Sequence, residues 1–173
     1  MGAAAAGFDQ PLDALLACHA RFEKQCATLE RLLAHLPEHG SDTDAQQAAR
    51  NILTYFDTAA VHHHDDEESN FFPLLERAGH GEWCEVVELL TSEHDDLAQL
   101  WRALRPALHA IAQAEAVALN TPHAQRFIAL NRSHIAFENE RVLPLARQIL
   151  STADLQSLGR AMAARRGVDY PSP

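Results

Sequence analysis

Four long stretches of this sequence carry apolar residues at a spacing of three to four, and each apolar stripe is interrupted by histidine or glutamate. The first reads Leu12, Leu15, His19, Phe22, Cys26, Leu29, Leu33 and the second Ile52, Phe56, Ala59, His63, Glu67, Phe71, Leu74. The third reads Val87, Leu90, His94, Leu97, Trp101, Leu104 and the fourth Phe127, Leu130, His134, Glu138, Val142, Leu145. That period is the signature of an amphipathic helix, whose apolar face must be buried against other helices. The polar residues inside the stripes are therefore carried into the core along with it.

An all-α chain follows. Only 7 glycines are present, and no run of Val, Ile and Thr of the kind strands need occurs. The spacing predicts helices over 11–36, 44–77, 82–118 and 122–149, with a kink at Pro106. Pro11 suits a first helical position, Leu36-Pro37 closes the first helix, and Ser41 to Asp44 offers caps for the second. Thr121 caps the fourth helix and Pro122 opens it. Ser151 with Asp154 predicts a capping box for a short fifth helix that ends near Gly167. Four long helices joined by short loops imply an up-down-up-down four-helix bundle. The chain reads as one domain over 1–173, with the bundle at 10–150 and the short C-terminal helix at 152–166.

The second and fourth helices echo one another. "HHDDEESNFFP" and "HIAFENERVLP" both place Glu one turn after His and Pro ten positions after it, at Pro73 and Pro144. Each follows a helix with a stripe histidine of its own, His19 or His94. Residues four apart stack on one helix face, so His63/Glu67 and His134/Glu138 each aim an imidazole and a carboxylate at one point. A buried carboxylate without compensation costs several kcal/mol or is forced neutral. Two of them among four imidazoles call for cations, and nitrogen and oxygen donors without thiolate suit iron, manganese or zinc.

These paired phrases and their upstream histidines resemble the hemerythrin family, in particular its bacterial HHE-type cation-binding members, over residues 10–150. The resemblance implies a left-handed bundle and two Fe ions joined by an oxo or hydroxo bridge, with Zn or Mn as substitutes. Glu67 and Glu138 would be bridging carboxylates, and His19, His63, His94 and His134 terminal ligands. Oxygen carriers of the family place a further His one turn after the third helix's ligand, where this chain has Ala98. That leaves about two coordination positions open on six-coordinate irons. Glu23, one turn after His19, and His64, beside His63, are the candidates to fill the gap.

Function then divides three ways. The first is reversible binding of O2, NO or a related small ligand. The second is a di-iron redox enzyme: oxidase, peroxidase or NO-reducing. The third, iron storage or delivery, ranks last, because delivery members carry an N-terminal cysteine-bearing segment that the residues before Pro11 do not supply.

The remaining features read as ordinary protein chemistry. Of "HHHDDEE", only His63/Glu67 faces the core, and His62, His64, Asp66 and Glu68 read as a solvated, mutually paired surface. Cys26 reads as a small buried filler, and Arg165 and Arg166 as cations at a helix end. A net charge of −10 disfavours nucleic acid. No apolar run reaches the ~20 residues that span a bilayer. The opening "MGAAAAGFDQ" lacks the charged and apolar parts of a secretory signal, so a cytoplasmic protein is expected.

Overall fold

The computed structural model describes residues 7–116 and 118–170. The first part of the opening decapeptide, the last residues of the C-terminal tail and Val117 lie outside them. Among the described residues every regular element is helical. We number five helical stretches: α1 (Pro11–His39), α2 (43–78), α3 (Cys84–Ala112), α4 (121–149) and α5 (Thr152–Arg165).

Their ends follow local chemistry, with four departures from the expected boundaries. First, α1 runs on through Pro37 to His39. The stop is set by Gly40, which takes the left-handed conformation (φ 63°) while its N–H bonds the Leu36 carbonyl at 2.9 Å. Second, α3 begins at Cys84 because His80 and Gly81 adopt positive φ (51° and 84°) in the preceding turn. Third, α3 ends at Ala112, well short of Ala118. Ala114 sits at φ 60° there, its N–H bonding Ile111 O at 3.0 Å and that of Glu115 bonding Ala110 O at 2.8 Å. This is a Schellman ending with alanine in the glycine position. Alanine is a strong helix former, so the sequence carries no stop signal there. Fourth, Asn120 caps α4 rather than Thr121, its Oδ1 accepting the His123 N–H at 3.1 Å. Asp42 caps α2 by accepting the Ala45 N–H at 2.9 Å. The Ser151/Asp154 capping box forms as expected.

Two of the long helices are not uniformly α. In α2, π-helical turns occupy Tyr55–Ala59 and Glu67–Phe71; in α4 one occupies Glu138–Val142. The turns at Glu67 and Glu138 share a cause in the sequence. Proline stands six residues after each Glu, at Pro73 and Pro144. It has no N–H, and its ring crowds the carbonyl four residues back. Widening the turn relieves that crowding, so the Phe72 N–H bonds Glu67 O and the Leu143 N–H bonds Glu138 O. The extra residue per turn also shifts the buried face. Ala60 is buried where the expected stripe has Ala59, and Ala146 where it has Leu145.

Packing groups the described residues into two compact units. One comprises those within Met1–Ala20, Val61–Thr91 and Ile135–Pro173; the other is Arg21–Ala60 with Ser92–His134. The first has a core of Leu12, Leu15, Phe71, Phe72, Leu75, Leu90 and Leu143, closed by Leu158 and Met162 of α5. In the second, Phe56 meets Phe22, Trp101 and Phe127 with ring centroids 5.8, 5.0 and 4.9 Å apart. Cys26 is buried in this unit, and burial pushes its thiol up to about 12, which suits an inert filler.

Two substitutions test this account, with opposite signs. A Cβ on Gly159 of α5 would lie 2.0 Å from the Phe8 carbonyl oxygen. Gly159→Ala gains roughly 1 kcal/mol of helix propensity. The clash is with backbone, however, and overpacking of this kind costs about 1–3 kcal/mol; net destabilisation is expected. Ala114→Gly removes left-handed strain of roughly 1–2 kcal/mol, partly offset by unfolded-chain entropy. It should raise stability by about 0.5–1 kcal/mol. Thermal or urea unfolding of both variants checks the pair of signs.

Candidate metal centre

All six polar residues expected on the buried stripes are indeed buried: His19, His63, Glu67, His94, His134 and Glu138. They are delivered in two groups, one in each unit.

The first group is His19, His63, Glu67 and Glu138, whose donor atoms lie within 4.8 Å of one another. The four-residue spacing on α2 puts His63 Nε2 3.1 Å from Glu67 Oε1. From α1, His19 Nε2 approaches Glu138 Oε2 at 3.2 Å and Glu67 Oε1 at 3.8 Å. The other ring nitrogen of His19 is engaged as well: Nδ1 donates to Asn139 Oδ1 at 2.6 Å. That bond orients the imidazole and directs Nε2 toward the carboxylates. Burial works against charge on His19, but hydrogen bonds to Glu138 and Glu67 outweigh it and raise the ring to about 10. The two buried carboxylates thus favour positive charge on the imidazole beside them.

The second group is His94 and His134. Their Nε2 atoms face each other at 3.0 Å, and His134 Nδ1 donates to Glu93 Oε2 at 2.7 Å. Glu93 accepts from Nδ1 and so turns His134 Nε2 toward His94. Burial, and then the nearby His134, hold His94 down at about 3, so its ring is neutral. Two nitrogens at adjacent positions of an octahedral coordination sphere, each ~2.1 Å from the ion, stand about 3.0 Å apart. The His94/His134 separation has that value.

This donor set fits a bound cation. Imidazole nitrogens and carboxylate oxygens converge, a carboxamide or carboxylate holds the far side of two of the rings, and no thiolate takes part. Such sites suit iron, zinc or manganese.

The candidates for an extra ligand fall elsewhere. Glu23 is exposed, and both its oxygens take the Arg132 guanidinium, at 2.9 Å for the closest pair. That ion pair, shared with Glu30, binds α1 to α4. His64 is half-buried with its ring 5.7 Å from that of His63, and belongs to neither donor group. Ala98 is exposed, so the turn after His94 presents a small outward side chain in place of a ligand.

One expectation is overturned outright. Asp66, expected on a solvated surface, is fully buried, paired with Arg165 and with Arg166, whose Nη2 lies 2.7 Å from Oδ2. The partners are about 100 residues away in the chain, so local sequence carried no sign of them. Asn139, Glu93 and Asn70 were also missed. The signal that could have found Asn139 and Glu93 is their position next to the stripe residues Glu138 and His94.

Comparison with known proteins agrees with this geometry. The family model of the hemerythrin HHE cation binding domain matches residues 10–146. An uncharacterized protein of Haemophilus influenzae is 33% identical over 163 residues, covering 94% of each chain. Among the described residues no helix is long and apolar enough to cross a membrane.

His63→Ala and Glu138→Ala are expected to lower the metal bound per chain, measured by elemental analysis after iron loading, and His64→Ala to leave it nearly intact. Asn139→Ala and Glu93→Ala keep every donor atom but release a ring, and should weaken metal affinity by roughly 10–100-fold.

Proposed function

Because the chain belongs to the hemerythrin HHE cation-binding family, we propose that it is a non-haem di-iron protein that binds O2, NO or a related small ligand at a carboxylate-bridged centre. The observation that carries this reading is the buried His19/His63/Glu67/Glu138 group. A second pair, His94 and His134, is prepared in the same manner. In this reading the helices form a left-handed up-down-up-down four-helix bundle. His19, His63, Glu67 and Glu138, with His94 and His134, would hold the ions.

The residues of the chain divide the work. Asn139 and Glu93 hold the rings of His19 and His134 in the tautomer whose Nε2 can donate. Phe127 and Leu97 are buried in the unit that holds His134 and His94, and help to exclude bulk water from that pair. Two iron ions so held supply open coordination positions and accessible electrons to a diatomic ligand.

Alanine at position 98 favours a second reading, a redox enzyme acting on O2, peroxide or NO. Where the carriers of the family close the sphere with histidine, this chain has no donor, and the freer position suits turnover.

Anaerobic loading with Fe(II) followed by O2 separates the two. About two irons per chain and a visible absorption band that is lost under vacuum support the binding reading. Irreversible oxidation with no stable band overturns it in favour of the enzyme. Loss of Fe(II) uptake altogether overturns both. Metal at a hundredfold excess over its Kd adds about 2.7 kcal/mol of stability. The melting temperature should therefore fall by roughly 5–10 °C on metal removal.

A further inference from the structure

The C-terminal helix α5 contributes no donor to either group, yet it makes an ion pair with a fully buried carboxylate beside one of the donors. Asp66 immediately precedes Glu67 on α2, and none of its surface reaches solvent. Arg165 Nη1 pairs with Asp66 Oδ1, and Nη2 of the same guanidinium donates to Asn70 Oδ1 at 2.8 Å. Arg166 takes the second Asp66 oxygen at 2.7 Å. Its own guanidinium is held by the Met162 carbonyl at 3.0 Å and lies over the Phe8 ring, 5.2 Å from the centroid.

The placement of these contacts matters more than their number. The π-helical turn that bears Glu67 runs from Glu67 to Phe71. Asp66 is the residue before it and Asn70 lies within it. One planar guanidinium therefore grips the chain on both sides of Glu67. A π-turn has poorer backbone geometry than the α-helix around it, so the backbone alone holds Glu67 less firmly than a regular turn holds its side chains. The equivalent turn in α4, Glu138–Val142, is held differently. There Asn139 acts from within the turn on the ring of His19.

We propose that Arg165 is a positioning residue for the metal centre: by bridging Asp66 and Asn70 it fixes the π-turn that aims Glu67, and so makes α5 a determinant of metal affinity. Lysine at this position would keep the charge but, as a point donor, could not span both partners. The inference rests on the metal-centre reading above, and its test is chosen to keep the two apart.

Co(II) is the probe, titrated against a competing chelator into metal-free wild type, Arg165→Lys and Asn70→Ala. Its visible absorption reports ligand geometry, and thermal unfolding of each metal-free protein reports the fold. Asn70→Ala spares the Asp66 ion pairs, so it remains informative if loss of the arginine fork impairs folding. The expected result is a loss of roughly tenfold in Co(II) affinity for both variants, with an altered spectrum. Metal-free Asn70→Ala should melt close to wild type. Wild-type affinity and spectrum in both variants would overturn the inference and leave the metal centre standing. So would changes in melting temperature alone. Wild type that takes up no Co(II), or His63→Ala that binds it as wild type does, would overturn the metal centre itself and this inference with it.

Discussion

Two carboxylates, Glu67 and Glu138, lie in the interior of a helical protein with about one hundredth of their surface exposed. An isolated charge there costs far more than the 5–15 kcal/mol that a typical domain has in hand. The surrounding structure compensates for that burial. His19 and His63 approach the carboxylates at hydrogen-bonding distance. His19 is raised to about 10 by them despite its own burial. The imidazoles beside the two carboxylates thus offset part of the cost of burying them.

The two glutamates also share a backbone device. Proline six residues on removes an N–H and crowds the preceding turn, and the helix answers with a π-turn that begins at the glutamate itself. The same phrase in α2 and α4 therefore produces the same local distortion. What differs is the support. Asn139 acts within α4's turn, whereas α2's turn is gripped from outside by Arg165 of α5. The C-terminal helix thereby holds the turn that bears Glu67.

Much of this was legible beforehand, for a physical reason. The six donors sit on helical stripes, and a stripe is a local property: three to four residues between apolar positions suffice to show which face is buried. His19, His63, Glu67, His94, His134 and Glu138 stand out in that way, and all are buried. Local pattern fails at Ala114 and Asp66. Ala114 ends α3 in a conformation that alanine rarely adopts, so its composition argued for more helix. Asp66 passes for one more charge in "HHHDDEE", because surface and buried acids are the same residue until their partners are known. Glu23 misleads in the other direction: it lies one turn from a ligand, yet Arg132 holds it on the outside.

By itself the sequence determined the helices, the faces they bury and the chemical type of the donors on those faces, since all three follow from residue type and spacing within a few turns. Only the tertiary structure decided which nitrogen of each ring is free to donate, which acid is locked away from the centre and which helix steadies the turn bearing Glu67. Those outcomes depend on contacts such as His19 with Asn139 and Asp66 with Arg165. Their partners lie 120 and 99 residues apart in the chain. A separation of that kind leaves no periodic trace, because the pairing is set by how helices pack and not by the order in which residues occur.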